Sequence, residues 1–412
     1  MLRLIGLVGV LLICCATPPP PAIGTTGPAL PTSSPSSTPT TAVASQTPAA
    51  SNASGLLEFH APAPLTGDWA FAIKAGMGVG GGHAVPGIGE LWAMPLAGTS
   101  ATLVARYVDW SDGSELRANI LRRQFSADGK RLVLSGAGSN GRYVLSLIDL
   151  GAGTVTIAAQ DAAADLIRPA LSPDGTKIAY VRKAGDRDDG LWVVNTDGTP
   201  ARQLRPGVAG LYTWTYGWTP DSRLLAFDQI ESTPSYVLLD VATGARTSAL
   251  GFANILWGEP AAWRAKTPSL AAGLADRAFD GEYRLVVADR ADASQRVLVD
   301  ESNHHLILDA PRWNPASDEI LYRRLISVIR TEFYVVPASG GVSKVVPLAQ
   351  HPWLADWTPD GAGIIYIAQD TGGYSWLGVG IRVALRDGTG DRELLAMPDG
   401  ALSDVIAVRY AG

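Results

Sequence analysis

The chain has 412 residues, and 33 basic side chains against 39 acidic ones give it a net charge of −6. That balance lacks the dense basic face a phosphate backbone demands, which argues against a nucleic-acid partner. The two cysteines, Cys14 and Cys15, adjoin near the amino terminus, so the rest of the chain can build no disulfide framework, zinc site or thiol nucleophile.

Residues 1–15 carry one positive charge, at Arg3, and then an apolar run that ends at the cysteine pair. The run is short for a bilayer span and sits where an export signal sits, so residues 1–15 are read as a signal peptide. Its end, Leu-Leu-Ile-Cys-Cys, resembles the lipobox of bacterial lipoproteins, in which the cysteine after the cut is acylated. Ile13 precedes Cys14 where the pattern has a small residue, so Cys15 is the preferred lipidation site and Cys14 the alternative. Residues 16–55 are Pro, Thr, Ser and Ala with no charge, a composition that buries too little apolar surface to offset its ordering entropy. They read as a disordered tether, leaving 56–412 as the folded domain. The expected location is the outer face of the cytoplasmic membrane, or elsewhere in the cell envelope.

Alternating strands begin at Leu56. FAIK from Phe71 and ELWAMPL from Glu90 bracket the glycine-rich stretch at 76–89. No helical period follows it and no Gly-Lys-Ser or Gly-Lys-Thr is present, so it reads as a long hairpin loop and not a phosphate cradle, with His83 solvated. From Phe125 one sentence recurs: FSADGKRLVL, then LSPDGTKIAY from Leu171, WTPDSRLLAF from Trp218, a worn WRAKTPSLAA from Trp263, WNPASDEILY from Trp313 and WTPDGAGIIY from Trp357. In each turn Pro presets φ, Asp or Asn bonds its own backbone and Gly accepts φ > 0. The large residue before the turn is placed to wedge between neighbouring sheets. Anchors separated by 44 to 50 residues leave room for four short strands per unit, which is one blade of a β-propeller. Between blades, KAGDRDDG at 183–190 holds Asp186, Asp188 and Asp189 but lacks the spacing of a calcium loop, and reads as a solvated hairpin tip.

LSDVIAVRY at 402–410 is one strand too many for the last blade, while the first unit, LTGDWAFAIK from Leu65, is one short. The C-terminal strand is therefore expected to complete the first blade and close the ring, removing both open edges. Counted this way the all-β ring has seven blades; six remain if the weak unit at Leu65 is not a blade.

The W-[ST]-P-D-G turn followed by an Ile-Ala-Tyr or Ala-Phe strand resembles the TolB-like propellers built of WD-like repeats. Leu171 to Tyr180, Trp218 to Phe227 and Trp357 to Tyr366 are close matches, and the likeness covers about residues 60 to 410. It departs at Trp263, where Pro-Asp-Gly is lost, and at Leu65. The resemblance implies a propeller in the cell envelope that acts by binding.

Chemistry is sparse. There is no Gly-x-Ser-x-Gly elbow, and the five histidines (60, 83, 304, 305 and 351) form no metal-binding pattern, so neither a cofactor nor a metal is expected. Connections into the innermost strands surround one end of a propeller channel. They carry Arg122, Arg123, Arg168, Trp214, Tyr216, Trp257, Glu259, His304, His305, Asp309, His351, Trp353 and Asp356, an aromatic, mixed-charge set suited to a protein, peptide or glycan. The leading reading is a monomeric, membrane-tethered, non-catalytic propeller that binds such a partner at its channel mouth. The alternative is a glycan lyase or hydrolase using carboxylates such as Glu259, Asp309 and Asp356.

Overall fold

The computed structural model describes residues 57–410 apart from 63–64, 75–76, 81–82, 99, 110–120, 186, 209–212, 230–234, 254–260, 266, 268, 276–282, 290–293, 302–306, 328–329, 350, 370–377 and 398–401. The signal peptide, Cys14, Cys15 and the tether lie outside the described residues. The described residues all belong to one compact unit.

That unit is the seven-bladed propeller the repeats predict. Five blades are plain four-stranded antiparallel sheets whose strands follow chain order from the channel outward, beginning at Asp165–Leu171, Thr213–Trp218, Ala261–Trp263, Ile307–Trp313 and Pro352–Trp357. In blade one the innermost strand is the C-terminal Leu402–Tyr410, which pairs with Gly67–Lys74 and closes the ring. Arg409 grips Asp68 with two hydrogen bonds, of 2.6 and 2.7 Å, and the Tyr410 hydroxyl donates to the Gly129 carbonyl of blade two at 2.7 Å.

Blade one also exceeds four strands. Leu57–Phe59 adds an outer strand to Thr102–Asp109, and Met77–Gly80 pairs with the start of His83–Pro95. The glycine-rich stretch is therefore a β-ribbon and not a loop, because its backbone hydrogen-bonds to itself. Blade two falls short: Arg131–Ala137, Tyr143–Asp149 and Thr154–Ala159 form three strands, and the innermost place is taken by a helical turn, Leu121–Gln124. Among the described residues only Phe125 bridges there, to Leu132.

A single four-stranded sheet has two apolar faces, and the ring covers both. Seven hydrophobic clusters each join two neighbouring blades. Phe71, Leu91, Phe125 and Leu132 join blades one and two, for example, and Ile365, Ile381, Met94 and Val405 join blades seven and one. The anchor tryptophans drive into these seams and also bond across them. Trp218 Nε1 donates to the Ala170 carbonyl at 2.9 Å, Trp313 Nε1 to Ala262 at 3.0 Å and Trp357 Nε1 to Arg312 at 3.1 Å. Each acceptor is the residue just before the anchor position of the preceding blade. Trp263, in the worn unit, holds the same place, but its buried indole N–H has no acceptor among the described residues.

The repeated turn explains the Ser/Thr-x-Asp pattern. In Ser126, Ser172, Thr219 and Thr358 the hydroxyl donates to the aspartate two residues on and accepts the N–H five residues on, that of Arg131, Lys177, Leu224 or Gly363. The Asp360 carboxyl sits below the usual carboxylate range because the Thr358 hydroxyl and the Ala362 N–H stabilise its charge. In blade six Asn314 does the same work by another route, accepting from Ala316 and Ser317 and donating to Gly361 of blade seven at 3.0 Å.

Replacing Trp218 by Phe keeps most of the apolar wedge but leaves the Ala170 carbonyl without its donor, at a cost of about 1–2 kcal/mol. Trp263→Phe removes an N–H that has no acceptor among the described residues and should cost less. Urea denaturation of the two variants checks the difference, and equal losses would refute the cross-blade bond as a stabilising element.

Candidate functional site

The channel is lined by innermost strands that are not regular. Their ladders slip beside Arg168, Tyr216, Ala310 and Trp353, where the register shifts between strands one and two of blades three, four, six and seven. Arg168 (φ 53°), Ala310 (φ 48°) and His351 (φ 45°) take the left-handed backbone that non-glycine residues avoid, and each is followed by proline. Bulges of this kind re-aim side chains. The signal in the sequence was the Arg-Pro, Ala-Pro and His-Pro pairs inside strands, since proline within a sheet marks a bulge or an edge.

Across these strands lies the turn Leu121–Gln124. The Leu121 N–H donates to Asp404 of blade one at 2.7 Å. Arg123 donates to the Thr215 carbonyl of blade four, and Arg122 to Asp356 of blade seven. The turn also packs on the inner strand of blade three. A segment in the innermost place of blade two that reaches blades one, three, four and seven projects into the channel. The mouth therefore has a floor made of the chain itself.

That floor is charged. Asp404 and Arg312 are buried beside each other. Burial pushes the Arg312 guanidinium down to about 9, helped by repulsion from Arg122 and opposed by Asp356 and Asp404. It stays cationic at neutral pH. Burial likewise pushes the Asp404 carboxyl up, against the pull of Arg312 and of the Leu121 and Val405 N–H groups. Nearby, Arg323 donates to the Trp353 carbonyl at 3.0 Å and lies over its ring, 4.5 Å from the centroid.

The residues expected at the mouth separate into four groups. Arg122, Trp353 and Asp356 are brought to this floor, Arg122 with 39% of its side chain exposed and Asp356 with 9%. His351 is exposed at the start of the same strand as Trp353. Arg123 and Arg168 are buried and bind neighbouring blades. Arg168 pairs with Asp188 at 3.1 Å, both side chains almost wholly buried, and donates to the Thr213 carbonyl at 2.5 Å. Trp257, Glu259, His304 and His305 lie outside the described residues. Trp214, Tyr216 and Asp309 are placed on inner strands by their backbone alone.

Five side chains were missed. Asp188 was assigned to a solvated hairpin tip; instead it accepts from Arg168 and from the Thr213 N–H at 2.8 Å, tying blade three to blade four. Asp189 pairs with Arg182, which also holds Asp161 at 2.7 Å. Arg312 stands immediately before the anchor tryptophan, the place that the expected Asp356 holds in blade seven and where blades three, four and five have Ala170, Gly217 and Ala262. That swap from small to charged was visible. Asp404 and Arg323 carried no comparable signal.

Among the described residues no three His, Cys, Asp or Glu side chains are grouped to hold a metal ion, and no helix is long and apolar enough to cross a membrane.

No family model and no curated protein matches the chain. Solved structures do. An oligogalacturonate lyase in complex with manganese is 15% identical, with 68% of this chain and 77% of that chain covered and a TM-score of 0.50. The oligogalacturonate lyase of Vibrio parahaemolyticus is 12% identical over 66% of this chain and 76% of its own, with a TM-score of 0.51. TolB from Acinetobacter baumannii is 14% identical over 85% of this chain and 68% of its own, with a TM-score of 0.43. At such identities the likeness to the lyases is one of fold.

The Arg168–Asp188 pair yields a measurable expectation. Asp188→Ala strands a buried guanidinium and should cost about 3 kcal/mol, whereas replacing both residues by apolar ones, Arg168→Met with Asp188→Leu, should recover much of it. A double-mutant cycle in denaturant measures the coupling, and additive losses would contradict it.

Proposed function

We propose that the protein is an exported propeller, anchored in the cell envelope through a lipid on Cys15 or Cys14, that docks a macromolecular partner on its channel mouth without transforming it. The observation that supports this reading is the floor. A channel into which Leu121–Gln124 projects offers a surface to be covered, not a cleft that swallows a substrate.

The glycan lyase or hydrolase reading draws less support. Such chemistry needs a pair of accessible carboxyls in unlike environments. Of the three carboxylates first considered, only Asp356 has a described side chain, and it is nearly buried and committed to Arg122. The lyase likeness concerns the scaffold, and one scaffold hosts many activities. Monomeric behaviour and the tether at residues 16–55 complete the proposal.

Pull-down of the full chain from detergent-solubilised membranes should recover a stoichiometric protein partner, and the double variant His351→Ala, Trp353→Ala should release it. No partner, together with polysaccharide turnover that disappears in Glu259→Gln, would replace docking by catalysis. Radiolabelled palmitate should enter the wild type and not the Cys14→Ser, Cys15→Ser variant; equal labelling would remove the lipid anchor.

A further inference from the structure

We infer that the channel mouth recognises an acidic peptide segment of its partner, with Arg122 as the receiving cation and Asp356 as the internal carboxylate that the peptide displaces. The inference rests on the docking reading above and names the chemistry of the partner.

Arg122 is the member of the floor that faces outward. Its side chain is 39% exposed, whereas Arg123, Arg168, Arg312 and Arg323 are buried. A guanidinium presents five N–H donors, and among the described residues Arg122 spends one, on Asp356 Oδ2. Peptide carboxylates match the remaining fork in shape and charge.

Asp356 does not need Arg122 in order to stay satisfied. Its Oδ1 accepts the Trp357 N–H at 2.8 Å, and it attracts the buried Arg312. Arg122 and Arg312 repel each other, and Asp356 answers both. A carboxylate arriving from outside takes over Arg122 and leaves Asp356 to Arg312.

A peptide is favoured over an acidic sugar by the state of Trp353. Sugars bind by laying their apolar ring faces on exposed aromatic rings, and Arg323 already occupies the face of this one.

Titration of the full chain with fluorescein-labelled hexaglutamate, with hexaglutamine as the neutral control, tests the assignment. Hexaglutamate should bind and hexaglutamine should not. Arg122→Ala should weaken hexaglutamate on the order of tenfold, the scale of one charge-assisted bond. Asp356→Asn should tighten it severalfold, an opposite sign that a purely structural ion pair would not give. Should Asp356→Asn fail to keep the wild-type melting curve, Arg122→Lys takes its place and should retain binding within about threefold. Equal binding of both peptides, wild-type affinity in Arg122→Ala, or binding of an oligoglucuronate through Arg122 in place of the peptide would each overturn it. Loss of hexaglutamate binding in His351→Ala, Trp353→Ala but not in Arg122→Ala removes the acidic exchange and keeps the docking site, whereas indifference to both variants removes both.

Discussion

The molecule depends on the burial of blade faces against each other. A four-stranded sheet with apolar residues on both sides cannot stand in water alone, so each blade is stable only between two neighbours. The anchor tryptophan concentrates this dependence at the inner edge. Its ring fills the seam, and its N–H ties the seam to the carbonyl before the previous anchor, at Ala170, Ala262 and Arg312. Phenylalanine or leucine supplies only the first of these, as at Phe125 and Leu171. A circle built this way has no free face but would keep two open edges. The C-terminal strand removes them by entering blade one, where Arg409, Tyr410 and the seam around Phe71 lock it.

The channel residues stand on inner strands held by these seams. The left-handed residues Arg168, Ala310 and His351 place uncommon backbone at or beside the bulges of blades three, six and seven. Such strain persists only when the surroundings over-determine it. The seams do so, and at the first of these positions the Arg168 side chain reaches the Thr213 carbonyl of the neighbouring blade.

Much of this was written in the sequence, and for a physical reason. Period, turn and anchor are local chemistry repeated, so each copy confirms the others, and the odd strand Leu402–Tyr410 could be assigned by counting. What escaped was what happens once only. Leu121, Arg122, Arg123 and Gln124 stand where a strand belongs, yet all four residue types favour helix, and that preference prevails where Asp404 holds the first N–H of the turn. Asp188 sits in a polar stretch that composition marks as solvated, and only the proximity of Arg168, twenty residues away along the chain, buries it. Long-range pairing of single residues leaves no periodic trace.

The charged floor is where these unrepeated features meet. Burying Arg312 and Asp404 carries a desolvation penalty that a hydrophobic pair would avoid, so the cluster is not explained by stability. Position explains it better. Asp404 comes from the closing strand, Arg312 from blade six, Asp356 from blade seven and Arg122 from the turn inserted by blade two, so the cluster forms only when the ring has closed in the right register. Closure then sets the exposed Arg122 against a fixed internal carboxylate. On the proposed docking reading, specificity comes from a competition between an internal and an external anion, which an uncharged or cationic segment cannot enter.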